Sequence, residues 1–127
     1  MYNLSCECLN HCSLGESVIS QILKINNIYF ETEKTFDNCR FEDSKKLAKF
    51  DFWVENKYII EFDGEQHFNY RNNGWNTLEH YQRTQIRDNY KNEWCKINNI
   101  PLIRIPYTHL DNLTLNDLKL ETSQFII

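Results

Sequence analysis

Two carboxylates, Asp51 and Glu61, interrupt short apolar runs, Lys49-Phe50-Asp51-Phe52-Trp53-Val54 and Tyr58-Ile59-Ile60-Glu61-Phe62-Asp63, which are joined by Glu55-Asn56-Lys57. Acids inside such runs do not serve stability. If the runs form a hairpin centred on Asn56, Asp51 lies directly opposite Glu61 with Cβ atoms about 5 Å apart. Like charges facing each other across a ladder repel, and each resists desolvation unless a cation or a shared proton sits between them. A divalent metal site is the economical explanation. Mg²⁺ or Mn²⁺ takes hard oxygen ligands, so carboxylates converging from strand and helix suit it. Such an ion lowers the pKa of bound water and neutralises charge developing on a phosphate. Asp63 is a third candidate ligand, although Asp63-Gly64 is also ordinary turn chemistry. His67, in the polar stretch Gly64-Glu65-Gln66-His67, has an imidazole able to take or give a proton near neutral pH.

The elements that must position these groups can be read from periodicity. From Ser13 the apolar residues Val18, Ile19, Ile22 and Leu23 follow helical spacing and end near Asn26-Asn27. Ile28-Tyr29-Phe30 reads as a short strand, with another near Thr35-Phe36, and Asp37 to Lys46 reads as a polar connection. The hairpin follows, then a polar loop from Glu65 to Asn76. A long helix is expected from Thr77 to about Asn98, with Ile86, Tyr90, Trp94 and Ile97 as its apolar stripe. Asp88 falls about 165° around from that stripe on a helical wheel, on a face suited to solvent or to a site. Pro101 to Pro106 reads as a strand docking beside the hairpin, and Leu115 to Phe125 as a closing helix with Thr114 as N-cap. The order predicts an α/β fold, a central mixed β-sheet flanked by helices.

The strings Phe50-Asp51-Phe52-Trp53, Ile60-Glu61-Phe62-Asp63-Gly64-Glu65-Gln66-His67-Phe68, Arg87-Asp88-Asn89-Tyr90-Lys91-Asn92-Glu93-Trp94-Cys95 and Ile100-Pro101-Leu102-Ile103-Arg104-Ile105-Pro106-Tyr107 occur in that order. Together they resemble the very-short-patch-repair-like (Vsr-like) branch of the PD-(D/E)xK nuclease superfamily, in particular its EDxHD homing endonucleases, from about Leu14 to Tyr107. The resemblance implies a restriction-endonuclease-like fold and a Mg²⁺-dependent DNA endonuclease, a phosphodiester hydrolase. It implies that Glu16 is the acid on the first helix, Asp51 the central metal-binding aspartate, His67 the family histidine and Asp88 the late acid on the following helix. Glu61 falls at the acid of the ExK element. The third position of that element is Asp63 here, not lysine, so the lysine's role passes to His67, to metal-bound water, or to Lys91 if the helix brings it in. Each assignment has a plainer rival: Ser13-Leu14-Gly15-Glu16 is also a capping box, and Asp51, Glu61 or Asp88 could face solvent.

Net charge is −4. Glu16, Asp51, Glu61 and Asp88 together carry that whole excess, so a phosphate-facing surface remains compatible with it. Arg71, Arg83, Arg87 and Lys91 are candidate DNA contacts, and Tyr70 and Trp75 could stack on bases or simply anchor their loop. Cys6, Cys8, His11 and Cys12 could hold Zn²⁺, though a second separated ligand pair is not obvious. Residues 1–13 thus read as a Cys-rich segment and residues 14–127 as one nuclease domain. Cys39 and Cys95 read as small buried hydrophobes. The longest apolar runs fall short of a membrane span and the first residues lack a signal-peptide pattern, so a cytoplasmic protein that is not secreted is expected; the resemblance, which extends to phage and large-virus nucleases, implies phage or virus encoding. The resemblance implies double-stranded DNA as the partner, and so short a chain is expected to act as a homodimer, to lean on a lost or separate DNA-binding module, or to nick one strand. Alternative readings are a mismatch- or structure-specific repair nickase and a non-catalytic nucleic-acid-binding module.

Overall fold

The computed structural model describes residues 13–64 and 78–127. The candidate residues Cys6, Cys8, His11, Cys12, His67, Tyr70, Arg71 and Trp75 lie outside that range. Among these residues eight elements follow in order: α1 (Leu14–Ile25), β1 (Phe30–Lys34), β2 (Phe50–Val54), β3 (Tyr58–Asp63), α2 (Leu78–Ile97), β4 (Leu102–Pro106), a 3₁₀ turn (Tyr107–Asn112) and a one-turn helix α3 (Leu115–Leu118). The class is α/β, built on a four-stranded mixed sheet of order β1-β2-β3-β4.

Local chemistry explains the boundaries. Ser13 caps α1 through a complete capping box with Glu16. Both long helices stop in the same way at an Asn-Asn pair. Asn27 and Asn99 adopt left-handed φ of 58° and 57°, and the next amide in each case bonds back to the fifth residue before it, Ile28 to Leu23 and Ile100 to Cys95. Asparagine tolerates that conformation better than other side chains with a Cβ. Glu55 and Asn56, both with φ of 52°, turn β2 into β3, and the Lys57 amide bonds to the Val54 carbonyl.

The β2–β3 register is the expected one, pairing Val54 with Tyr58, Trp53 with Ile59 and Phe52 with Ile60. β4 runs parallel to β3, with Glu61 beside Arg104 and Asp63 beside Pro106. On the far side of β4, Phe125 accepts from the Arg104 amide and Ile127 donates to Leu102, so the C-terminal residues cover that edge. β3 is therefore central, which is why its residues are almost all buried.

Each sheet face carries its own apolar cluster. Val18, Ile19, Ile22 and Leu23 of α1 pack on Phe52, Ile60, Ile103 and Ile105, with Leu118 of α3. Trp94 and Cys95 of α2 pack on Phe50, Ile59 and Leu102, with Cys39 and Ala48 from the connection before β2. Burial raises the Cys39 thiol to about 11 and the Cys95 thiol to about 12. Both thus stay protonated as small apolar fillers.

Three expectations need correcting. The stripe on α2 does not hold, since Ile86 and Ile97 are 68% and 76% exposed. Trp94 and Cys95 are the buried residues of α2, and the turn before them meets the sheet through polar groups, Asp88, Lys91 and Asn92. The early strand lies later than Ile28-Tyr29-Phe30, at Phe30–Lys34, and Thr35-Phe36 forms no second strand. The closing helix is only Leu115–Leu118, ending where the chain turns back toward β4. Its Thr114 cap is present, with Asp117 completing a capping box.

Candidate active site

At the end of the hairpin the ladder gives way to side chains. Beyond Phe52 and Ile60, the Asp51 amide donates to Glu61 Oε2 at 2.7 Å, and the Phe62 amide donates to Asp51 Oδ2 at 2.9 Å. Each carboxylate thus takes a backbone N–H of the opposite strand. Those bonds fix both groups in place. Glu61 is buried, at 4% exposure, and Asp51 is half-buried.

The two acids differ in what neutralises them. Glu61 Oε1 accepts from Lys91 Nζ at 2.8 Å, and Arg104 Nη1 stands 4.0 Å from the same oxygen. Asp51 has no cation within 4 Å among the described residues. Burial first, and then the charges of Glu61 and Glu16, push the Asp51 pKa well above the ordinary carboxylate range, against the pull of the Phe62 amide and Lys91. The influence of Glu16 shows that α1 presents its first turn toward the pair. Glu16 also closes the capping box, its Oε2 accepting from the Ser13 amide and hydroxyl, so the plainer role and the site-facing position coexist.

Lys91 reaches the pair from α2. Its ammonium donates to Glu61 and to the Lys49 carbonyl and stands 5.0 Å from the Phe50 ring centre. An ammonium has three N–H groups. Two are spoken for among the described residues, and the third remains for a water or a phosphate oxygen.

Asp63 and Asp88 are placed differently. Asp63 accepts from Arg104 Nη1 at 2.8 Å. Asp88 lies 3.8 Å from Arg104 Nη2 and offers that group its carbonyl as well. Arg104, 8% exposed, also donates Nε to Asn92 at 2.7 Å. A buried guanidinium held by two acids and an amide ties β3, β4 and α2 together behind Glu61. The four acids Glu16, Asp51, Glu61 and Asp88 therefore do not converge on one point. Among the described residues no three His, Cys, Asp or Glu side chains form a metal-ligand cluster.

The outer cations are placed as follows. Arg83 pairs with Glu79 of its own helix at 3.3 Å, and Arg87 with Asp43 at 3.4 Å while lying over the Phe41 ring. Arg104 was not among the residues singled out by sequence. Its signal was the same as that of Asp51, a charge inside the apolar run Leu102-Ile103-Arg104-Ile105.

No family model matches the chain, and no solved structure matches it. The uncharacterized protein 307L of Invertebrate iridescent virus 6 is 35% identical to it over 55 residues, 43% of this chain and 28% of that protein. The chain thus matches less than a third of the length of that relative. No helix among the described residues is long and apolar enough to cross a membrane.

Proposed function

We propose that the chain is a metal-dependent endonuclease that hydrolyses phosphodiester bonds in double-stranded DNA, on a restriction-endonuclease-like scaffold of the very-short-patch-repair-like kind. One observation carries the reading: a pinned pair of strand carboxylates, one without a counter-cation among the described residues, is met by a lysine from the following helix. The expected lysine is missing from its strand position at Asp63, and Lys91 supplies an ammonium to Glu61 from another element. The same observation speaks against a crippled, purely binding module. The similarity to a viral protein agrees with a virus-encoded enzyme.

The residues fit a hard divalent cation. Mg²⁺ needs only one or two carboxylates, with waters and substrate oxygens completing its shell, so Asp51 and Glu61 suffice without Asp63 or Asp88. Bound there, Mg²⁺ or Mn²⁺ supplies charge neutralisation at the scissile phosphate and a water of lowered pKa. Asp51, once ionised, supplies a negative charge that no cation within 4 Å among the described residues neutralises. Glu61 is held in one orientation by the Asp51 amide and by Lys91, with Arg104 at its back. Lys91 offers its remaining N–H to the attacking water or to a phosphate oxygen, the orienting role left open at Asp63.

Supercoiled plasmid with Mg²⁺ or Mn²⁺ tests the reading. Wild type converts it to nicked or linear forms, whereas Asp51→Ala and Lys91→Ala lose at least about 100-fold in rate, the scale of a lost general acid–base or oxyanion contact. Equal conversion by all three proteins would assign the cutting to a contaminant. A perfect duplex compared with a mismatched one separates a site-specific endonuclease from a repair nickase.

A further inference from the structure

Beside Lys91 a cleft of about 380 Å³ opens between α2 and the 41–49 connection, with Lys46, Lys49, Arg87, Asp88 and Lys91 in its lining. Its charge is lopsided. Four cationic side chains, Lys46, Lys49, Arg87 and Lys91, face one carboxylate, Asp88, which already lies against Arg104. Lys46 and Lys49 are exposed, and neither has a carboxylate within 4 Å among the described residues. Arg87 is engaged only loosely, by an exposed ion pair to Asp43 at 3.4 Å, and its Nε is buried with no acceptor. Arg87 and Lys91 are paired with Asp43 and Glu61, whereas Lys46 and Lys49 add positive charge with no acid beside them among the described residues, so an anion entering the cleft meets net positive charge.

The position of the cleft matters as much as its charge. Lys49 stands two residues before Asp51, and its carbonyl receives the Lys91 ammonium. The cleft and the carboxylate pair therefore share Lys91 as a common wall. We infer that this cleft seats the sugar–phosphate backbone of the DNA strand next to the phosphate being cut, with Lys46, Lys49 and Arg87 as its phosphate contacts. The inference rests on the nuclease reading and adds to it the track by which the strand reaches the carboxylates. Sequence reasoning had placed the phosphate contacts on α2 and the loop before it. The connection between β1 and β2 was read only as polar.

Binding without cleavage isolates the claim. A fluorescein-labelled DNA duplex is titrated in EDTA over a range of NaCl concentrations with wild type, with Lys46→Ala/Lys49→Ala, and with a control double variant, Lys24→Ala/Lys57→Ala, which removes two exposed lysines elsewhere. Each phosphate contact contributes about 0.9 to the slope of log affinity against log salt. The cleft variant should therefore lower that slope by about 1.8 and weaken binding at least about 10-fold at low salt, while the control stays close to wild type. Equal losses in both double variants would mean that the DNA sees only overall charge, and would overturn the cleft. Unchanged binding by the cleft variant, with wild type still cutting plasmid in Mg²⁺, would overturn the cleft and leave the nuclease reading standing. A wild type that neither binds duplex nor cuts plasmid removes both.

Discussion

Burial and the charges of Glu61 and Glu16 raise the Asp51 pKa well above the usual carboxylate value, so ionising Asp51 is harder in the folded chain than in the unfolded one. Below about pH 4, where even the unfolded chain protonates the group, the two states are alike and no penalty exists. As pH rises from there to the raised folded value, the native state keeps a proton that the unfolded state has released. Stability therefore falls through that window, and part or all of the penalty is present by neutral pH. Asp51→Asn keeps an oxygen for the Phe62 amide but cannot ionise. It should melt above wild type at pH 7 in the absence of divalent ions, converge with it below about pH 4, and lose plasmid cutting. Thermal melts from pH 3 to pH 8 would refute the account if the variant were no more stable at neutral pH. Greater stability coupled to lost activity is what a site retained for chemistry predicts.

Element packing decides whether that residue is presented at all. Gly15, in the first turn of α1, is buried, and a Cβ built there would meet the Phe62 ring at 2.3 to 2.4 Å. Phe62 adjoins Glu61 on β3, so the missing side chain lets α1 approach the sheet with Glu16 close to the carboxylate pair. Alanine would gain about 1 kcal/mol in helix propensity, yet overpacking a helix–sheet contact costs about 1–3 kcal/mol. Gly15→Ala should therefore be destabilised or neutral by urea titration, with stability restored by adding Phe62→Leu. A variant clearly more stable than wild type would mean that the ring simply swings aside. The helix start was legible in the sequence because capping boxes and Asn-Asn stops are local chemistry, and the hairpin register because its turn and its alternation agree. The face of α2 was not. Its periodic isoleucines, Ile86 and Ile97, are exposed, while Asp88, Lys91 and Asn92 turn inward to Glu61 and Arg104. A helix that covers charged groups on a sheet inverts the usual amphipathic rule. For the same reason the pairing of Lys91 with Glu61, across 30 positions of sequence, could be stated only as conditional on the helix.

Across the whole molecule, the candidate site lies where the two apolar layers part. One layer brings α1 and Glu16, the other brings α2 and Lys91, and β2 and β3 carry the acids between them. An ion held at that seam would bind the folded chain and not the unfolded one, whose carboxylates are dispersed. Folding stability then rises by RT ln(1 + [ion]/Kd), about 1.4 kcal/mol at tenfold excess over Kd, or a shift in melting midpoint of about 5 °C for a chain of this size. Mg²⁺ or Mn²⁺ should accordingly raise the melting temperature of wild type above that in NaCl of matched ionic strength. The same ion should also flatten the decline of stability with rising pH, because it compensates the charge on Asp51. Asp51→Asn, already relieved of that charge, should respond to neither. An equal rise in wild type and variant would locate the ion elsewhere on the surface, and no rise in wild type at millimolar ion would leave the buried acid without the counter-charge that its position demands.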